Sequence, residues 1–383
     1  MRKLKVLHIA QDDKFFDGVF NAFESDERFE NSAVLQVKDV KSYNYIMIKN
    51  TSVIRLVNRL GMKSILREGN YDIIFFYSLR LRQYEYSKWI PTNKIVIWWS
   101  WGMDLYPSSS AVTPLIPIDT LLPQTSSFLQ ELRGPVPVFK TFVKNNILRL
   151  LNDYKRYRII RKVDYFQPVI PEEYPLVKRA FGFHAKEFYF PRCFTGYHVE
   201  TNMQRSADGN ILIGNSQAPT NNHIDVWNSC RQYIPCNREI FFPINYERNM
   251  DYADALTQYI YSDKHHITFL RNFMPRNEYF RLIDGCSYAI FGVLRQQAMG
   301  NIYFCLSHGI KVFLYRDSIV YRSLKEGGFV VFAIEDIDEN SFNIPLSHED
   351  LVQMAYAFEK RKQYIDKVRE KAIADIKQSV DNY

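Results

Sequence analysis

The absences in this chain narrow its function first. No G-x-G-x-x-G follows a strand-like run and no G-x-x-x-x-G-K-[ST] occurs, which removes the usual turns for dinucleotide redox chemistry and P-loop hydrolysis. Neither the G-x-S-x-G elbow of serine hydrolases nor the H-E-x-x-H of zinc proteases is present. Cysteine is scarce: Cys193, Cys230, Cys236, Cys286 and Cys305 form no C-x-x-C pair, so they are expected to be reduced thiols without a disulfide or zinc role. No apolar run approaches the roughly 18 residues of a membrane span. The short apolar segment near the N-terminus ends in Gln11-Asp12-Asp13 and reads as a strand rather than a signal sequence. Asp336-Ile337-Asp338 lies near the C-terminal crossover instead of after a strand, and His265-His266 has no further ligands at useful spacing. A metal-independent protein without cofactor, soluble or peripheral in the cytoplasm, is the expectation.

What is present describes an ordinary folded protein. A chain of 383 residues exceeds what one core usually organises, so two domains are expected. The net charge of +7 is concentrated between residues 140 and 162, where eight basic residues face the single acid Asp153. Phe142, Val143, Ile147, Leu148, Leu151, Tyr154 and Ile159 interleave with those charges as in a cationic amphipathic helix. Two readings stand: a helix lying on an anionic membrane surface, or a solvated helix whose apolar stripe packs on its own domain. No nucleic-acid-binding module is recognisable.

Strand-like and helix-like segments alternate throughout, which is the rhythm of parallel sheets covered on both faces. Strands are expected at 6–10, 32–37, 73–77, 95–99 and 165–170, with helices including 15–24 and 53–67. After a polar bridge near 200–208 the rhythm restarts with strands at 211–214, 240–244, 267–270, 288–292, 311–314 and 330–334. The fold class is therefore α/β, with two Rossmann-like doubly wound domains facing a cleft. The expected domains are residues 1–203, which include the basic segment 140–162, and residues 204–346, followed by a helix in 347–383 that crosses back to the first.

Two stretches carry the most chemical information, ILIGNSQAPTNNHI at 211–224 and FGVLRQQAMGNI at 291–302. Each runs from an apolar strand through small and polar residues into a helix, an arrangement that leaves backbone N–H groups facing an anion. Two such turns in one domain point to a diphosphate. Gly214, Asn215, Ser216, Asn221, Asn222 and His223 form the first set of candidates, and Arg295, Gln296, Gln297 and Asn301 the second. An arginine after an apolar strand calls for an anionic partner. A plain turn with an asparagine cap is the alternative for the first stretch, and a structural amide network is the alternative for either glutamine.

These segments, together with HIAQDDKFFDG at 8–18 and WWSWGMDLY at 98–106, resemble the 4-acetamido-4,6-dideoxygalactosyltransferases, the dTDP-Fuc4NAc:lipid II transferases of enterobacterial common antigen and related surface polysaccharide biosynthesis. The resemblance implies a GT-B glycosyltransferase at the inner face of the cell membrane. It would move a deoxy amino sugar from a dTDP-sugar to a polyprenyl-diphosphate-linked saccharide. The N-terminal turn departs most from the family, which puts the acceptor in doubt. A nucleotide-sugar 2-epimerase of the same two-domain plan, or a non-catalytic glycan- or nucleotide-sugar-binding protein, is the alternative.

Glycosyl transfer needs a base for the acceptor hydroxyl if it inverts, neutralisation of the departing diphosphate, and a wall for the acceptor. Asp13 is the expected base, with Asp12, Asp17 or Asp104 as substitutes, and one of these carboxylates alternatively only caps a helix. Lys14 is either an acceptor contact or a solvated charge. Asp12, Asp17 and Trp101 are expected to bind the acceptor, Asp104 to hydrogen-bond its hydroxyls, and Arg295 to offset the diphosphate.

Overall fold

The computed structural model describes residues 2–13, 15–107, 111–133, 141–181, 183–190, 196–245, 250–261 and 265–381. Lys14 and Cys193 lie outside them. The chain forms two compact units, one of residues 1–117, 139–193 and 364–383, the other of residues 118–138 and 194–363. Neither unit is one contiguous block. Residues 118–138 belong to the second, and the long C-terminal helix, His348–Asp381, is divided between the two.

The first unit holds a parallel sheet of β1 (Leu4–Ile9), β2 (Phe29–Gln36), β3 (Ile54–Val57), β4 (Ile73–Tyr77), β5 (Ile95–Trp99), β6 (Tyr165–Gln167) and β7 (Lys186–Glu187), in the order β3-β2-β1-β4-β5-β6-β7. Its central strands are runs such as IIFFY and IVIWW, because a strand covered on both faces has no polar side to show. The core joins Phe16, Phe20 and Phe23 of α1 (Phe16–Glu24) to Phe75, Tyr77 and Trp99 of the sheet and to Ile373 and Ile376 of the C-terminal helix.

One expectation fails here. Residues 53–67 are not a single helix: β3 pairs with β2, and α2 (Arg59–Glu68) begins afterwards, capped where Asn58 Oδ1 accepts from Gly61 N at 2.9 Å. The β-branched Ile54 and Val57 favour the sheet, and the asparagine starts the helix anew. The strand expected at 165–170 stops at Gln167, ahead of Pro168, which has no N–H to offer.

The second unit repeats the plan with β8 (Asn210–Ile213), β9 (Glu239–Pro243), β10 (His266–Leu270), β11 (Cys286–Phe291), β12 (Lys311–Leu314) and β13 (Phe332–Ala333), ordered β10-β9-β8-β11-β12-β13 and parallel throughout. In both sheets the strand order reverses beside the first strand. The switch falls between β1 and β4 in one unit and between β8 and β11 in the other, and ligands of open α/β sheets gather at the carboxyl ends of such strands.

Candidate functional site

The two glycine- and amide-rich turns leave neighbouring strands at the switch point of the second sheet. Gly214 N donates to the Ile290 carbonyl at 2.9 Å, so the turn after β8 begins alongside the end of β11. Gly214 has φ +76, and a Cβ there would stand 2.7 Å from His223 Nε2. A Cβ on Gly292 would meet the Asn221 carbonyl oxygen at 2.3 Å. At both positions residues 221–223 or 226 come too close for any side chain. Two non-glycine residues, Asn222 and Ala298, are left-handed, with φ 50 and 60, at the starts of α6 (His223–Cys230) and α9 (Met299–Ser307).

The asparagines expected to face phosphate are instead the framework of the turn. Asn221 is fully buried: its Nδ2 donates to the Ser216 and Ala218 carbonyls and to Ser216 Oγ, and its Oδ1 accepts from Asn215 N at 3.2 Å. Asn222 donates to the Gly292 carbonyl at 2.7 Å and accepts from Leu122 N at 2.8 Å. Ser216 Oγ accepts from Ala218 N. His223 is neutral, since burial pushes it down to about 3, and its Nδ1 lies 3.1 Å from the Tyr252 hydroxyl. A charge at this depth would be costly to keep.

What the turns leave over is a set of buried polar atoms with no protein partner: Asn215 Oδ1, Gln217 Oε1, His223 Nε2, Gln296 Oε1 and Gln297 Nε2. Buried polar atoms are normally paired, so five orphans from two adjoining turns mark a place built for something the protein does not itself supply. The Thr220 hydroxyl donates to Gln297 Oε1 at 2.7 Å and joins the turns. Arg295 is half-buried and donates from Nη1 to the Gln296 carbonyl at 3.1 Å. Asn301, in the first turn of α9, donates to the Tyr279 hydroxyl at 2.9 Å. Gln217 and Thr220 lie within the first motif without a sequence signal of their own, because an amide or hydroxyl in a turn has no distinguishing pattern.

In the first unit the carboxyl ends of the central strands open on a cavity of about 870 Å³, whose wall includes Gln11, Asp12, Gln36, Arg80, Arg82 and Asp104. Asp104 is buried and accepts from Leu79 N at 3.0 Å, Trp98 Nε1 at 2.8 Å and Trp101 N at 2.9 Å. Burial raises its carboxyl, and these donors only partly offset the effect. Trp101 is half-buried, edge-on to Phe15, Tyr77 and Trp99. Ser78, between β4 and Leu79, is left-handed at φ 64, with a buried hydroxyl that has no partner. A non-glycine residue in this conformation often accompanies a functional site.

The aspartates after β1 divide. Asp12 accepts from the Tyr43 hydroxyl and from the N–H groups of Ile46, Met47 and Ile48, at 2.8 to 3.1 Å. Burial acts to raise its carboxyl, but those donors outweigh it and hold the group below the usual range. Asp17 accepts from Lys49 N and Asn50 N. Both therefore fasten the 43–50 segment. Asp13 Oδ1 accepts from Phe15 N at 3.0 Å, in the turn that opens α1.

Residues 175–356 match the model of a family described as 4-alpha-L-fucosyltransferase, glycosyl transferase group 56. Both turns lie inside the match. Among solved structures, the chain is similar to an alpha,alpha-trehalose-phosphate synthase (UDP-forming) from Burkholderia xenovorans in complex with glucose-6-phosphate (9% identity, 98% and 100% of the two chains, TM-score 0.55). It is also similar to the N-terminal domain of trehalose-6-phosphate phosphatase from Candida albicans (9%, 98% and 97%, 0.59) and to HepE from Anabaena in complex with UDP (11%, 100% and 99%, 0.53). At such identities these likenesses speak for the fold, which is GT-B. The family match and this architecture together support a glycosyltransferase.

Proposed function

We propose that the protein transfers 4-acetamido-4,6-dideoxygalactose, or a similar deoxy amino sugar, from a dTDP-sugar to a polyprenyl-diphosphate-linked saccharide, working as a peripheral protein at the cytoplasmic face of a membrane. The observation that carries the reading is the set of orphaned polar atoms around the turns after β8 and β11. It supports a ligand rich in hydrogen-bonding groups, and Arg295 beside it suits a diphosphate. HepE, of the same fold, is described in complex with UDP. The sugar named in the matching family's description, fucose, is a 6-deoxygalactose, and the proposed sugar carries an acetamido group in place of the 4-hydroxyl. The nucleotide base and the lipid-linked acceptor rest on the motif resemblance.

In the reaction an acceptor hydroxyl oxygen bonds to the anomeric carbon as the bond from that carbon to the diphosphate breaks. Arg295 would take up the charge left on the diphosphate, which lowers the barrier in proportion to how firmly it is held. If configuration inverts, Asp13 would receive the hydroxyl proton. The 870 Å³ cavity of the first unit, with Asp104 on its wall and Trp101 beside that residue, would hold the acceptor. Incubation with dTDP-4-acetamido-4,6-dideoxygalactose and a polyprenyl-linked saccharide is expected to give free dTDP and an elongated lipid. An epimerised donor, or an unchanged one that merely binds, would replace this reading with one of its alternatives.

A further inference from the structure

Helix α4 (Thr141–Ile160) turns its apolar stripe away from the protein. Among its described side chains, Ile147, Leu150, Leu151, Tyr154 and Tyr157 recur at intervals of three and four residues, which places them on one face, and all are exposed, Leu150 at 67% and Tyr154 at 61%. The face that packs inward is the less apolar one. It contains Ile159 and Ile160, but also Arg156, 3% exposed and held by Asp153 and the Thr113 carbonyl. Asp153 also accepts from the Thr113 hydroxyl at 2.7 Å, and Asn152 donates to the Ala111 carbonyl at 3.1 Å, so the helix is anchored by its polar inner side. A helix free to choose would rotate to bury its leucines. These anchors prevent that.

The outward face is also of one sign. Lys155, Arg158 and Arg161 are exposed on or just beyond α4, and the only acid between residues 146 and 161 is Asp153, already paired on the inner side. Arg161 lies over the Tyr157 ring at 5.7 Å, which leaves an aromatic and a cation together at the end of the stripe. Exposed leucines flanked by tyrosine and unpaired cations match the cross-section of a lipid interface: apolar side chains reach the acyl boundary while arginine and lysine meet headgroup phosphates.

We propose that the outward face of α4 is the surface by which this protein docks in the plane of an anionic bilayer. The membrane location belongs to the functional reading above, but the docking surface stands on the geometry of α4 alone. Second copies of the chain are a poor fit, since apposed α4 faces would bring like charges together.

The full-length protein would be sedimented with vesicles of phosphatidylcholine alone or mixed with phosphatidylglycerol. Binding is expected only to the anionic vesicles and should weaken as salt rises. Replacing Lys155, Arg158 and Arg161 with Gln should weaken it by about tenfold or more, since each cation near such a surface adds roughly a fivefold factor at most. Leu150→Ser with Leu151→Ser should also reduce binding, with an unchanged thermal midpoint because both side chains are already in water. Transfer to a water-soluble, short-chain acceptor should stay at the parent rate in all variants. That readout separates failure of the docking surface from failure of the transferase reading. Equal binding by parent and variants, no binding to anionic vesicles, or dimers abolished by the leucine changes would each overturn the proposal.

Discussion

The Thr220 hydroxyl donates to Gln297 Oε1 at 2.7 Å and thereby couples the turn after β8 to the turn after β11. Gln297 keeps Nε2 without a protein partner, so the bond fixes the carbonyl end and leaves the amide end for a ligand. Thr220→Val preserves shape and removes the donor. Since one neutral hydrogen bond contributes about 0.5–1.5 kcal/mol, dTDP affinity should fall about 2- to 10-fold by titration calorimetry. An unchanged Kd would show that the ligand does not read Gln297.

The two turns could be located in the chain, and what could not be read there has a physical cause. The apolar run that ends at Phe291 declares a strand, and Gly292 and Arg295 after it declare a turn, through local chemistry. The roles of Asn221 and Asn222 depend on what the fold brings near them: Asn222 reaches the Gly292 carbonyl across 70 residues of sequence. The same holds for 53–67, where pairing with β2 decides between strand and helix, and for α4, whose exposed side is set by Asp153 and Arg156 rather than by its hydrophobic periodicity. Strand boundaries near Ile73–Tyr77 and Ile95–Trp99 were readable because a fully buried parallel strand is apolar on both faces.

Asp13 and Asp104 were both candidates for the chemistry, and their surroundings predict opposite failures. Asp13→Asn can still accept from Phe15 N, so the fold and dTDP binding should persist while turnover drops by about 100-fold or more, as expected for loss of a general base. Asp104→Asn sets an amide against the three N–H donors from Leu79, Trp98 and Trp101, and should cost about 1–3 kcal/mol in urea unfolding. Near-normal turnover in the first variant would remove Asp13 from the role of base.

With Arg295 as the expected counter-charge for the diphosphate, transfer should not need a divalent cation. Rates in excess EDTA should equal rates in added magnesium. Arg295→Ala should then lower turnover by about 10- to 100-fold, the range for losing a charge-assisted bond. Activity lost in EDTA and restored by magnesium would transfer that role from Arg295 to the metal.

Buried titrating groups make the stability of the protein depend on pH in a way that one substitution can isolate. Burial pushes His8 down to about 4 and His223 to about 3, so the unfolded chain binds protons that the folded one refuses once the pH falls below 6.5. Their contribution is complete above that value and drains away by about 1.4 kcal/mol per pH unit for each as acidity increases. Glu173 works against them. Burial raises it to about 7, although it accepts from the Tyr106 hydroxyl and from Val169 N and Ile170 N, so between its ordinary 4.5 and about 7 the folded state holds a proton that the unfolded state has lost. Stability from Glu173 therefore falls as pH rises through that window and cancels roughly one histidine. Glu173→Gln keeps an acceptor for the backbone N–H groups and removes the titration. It should steepen the loss of stability between pH 6.5 and 4.5 by about 1.4 kcal/mol per unit relative to the parent, read from urea midpoints. Parallel curves for the two proteins would mean that Glu173 ionises in the folded state as it does in water.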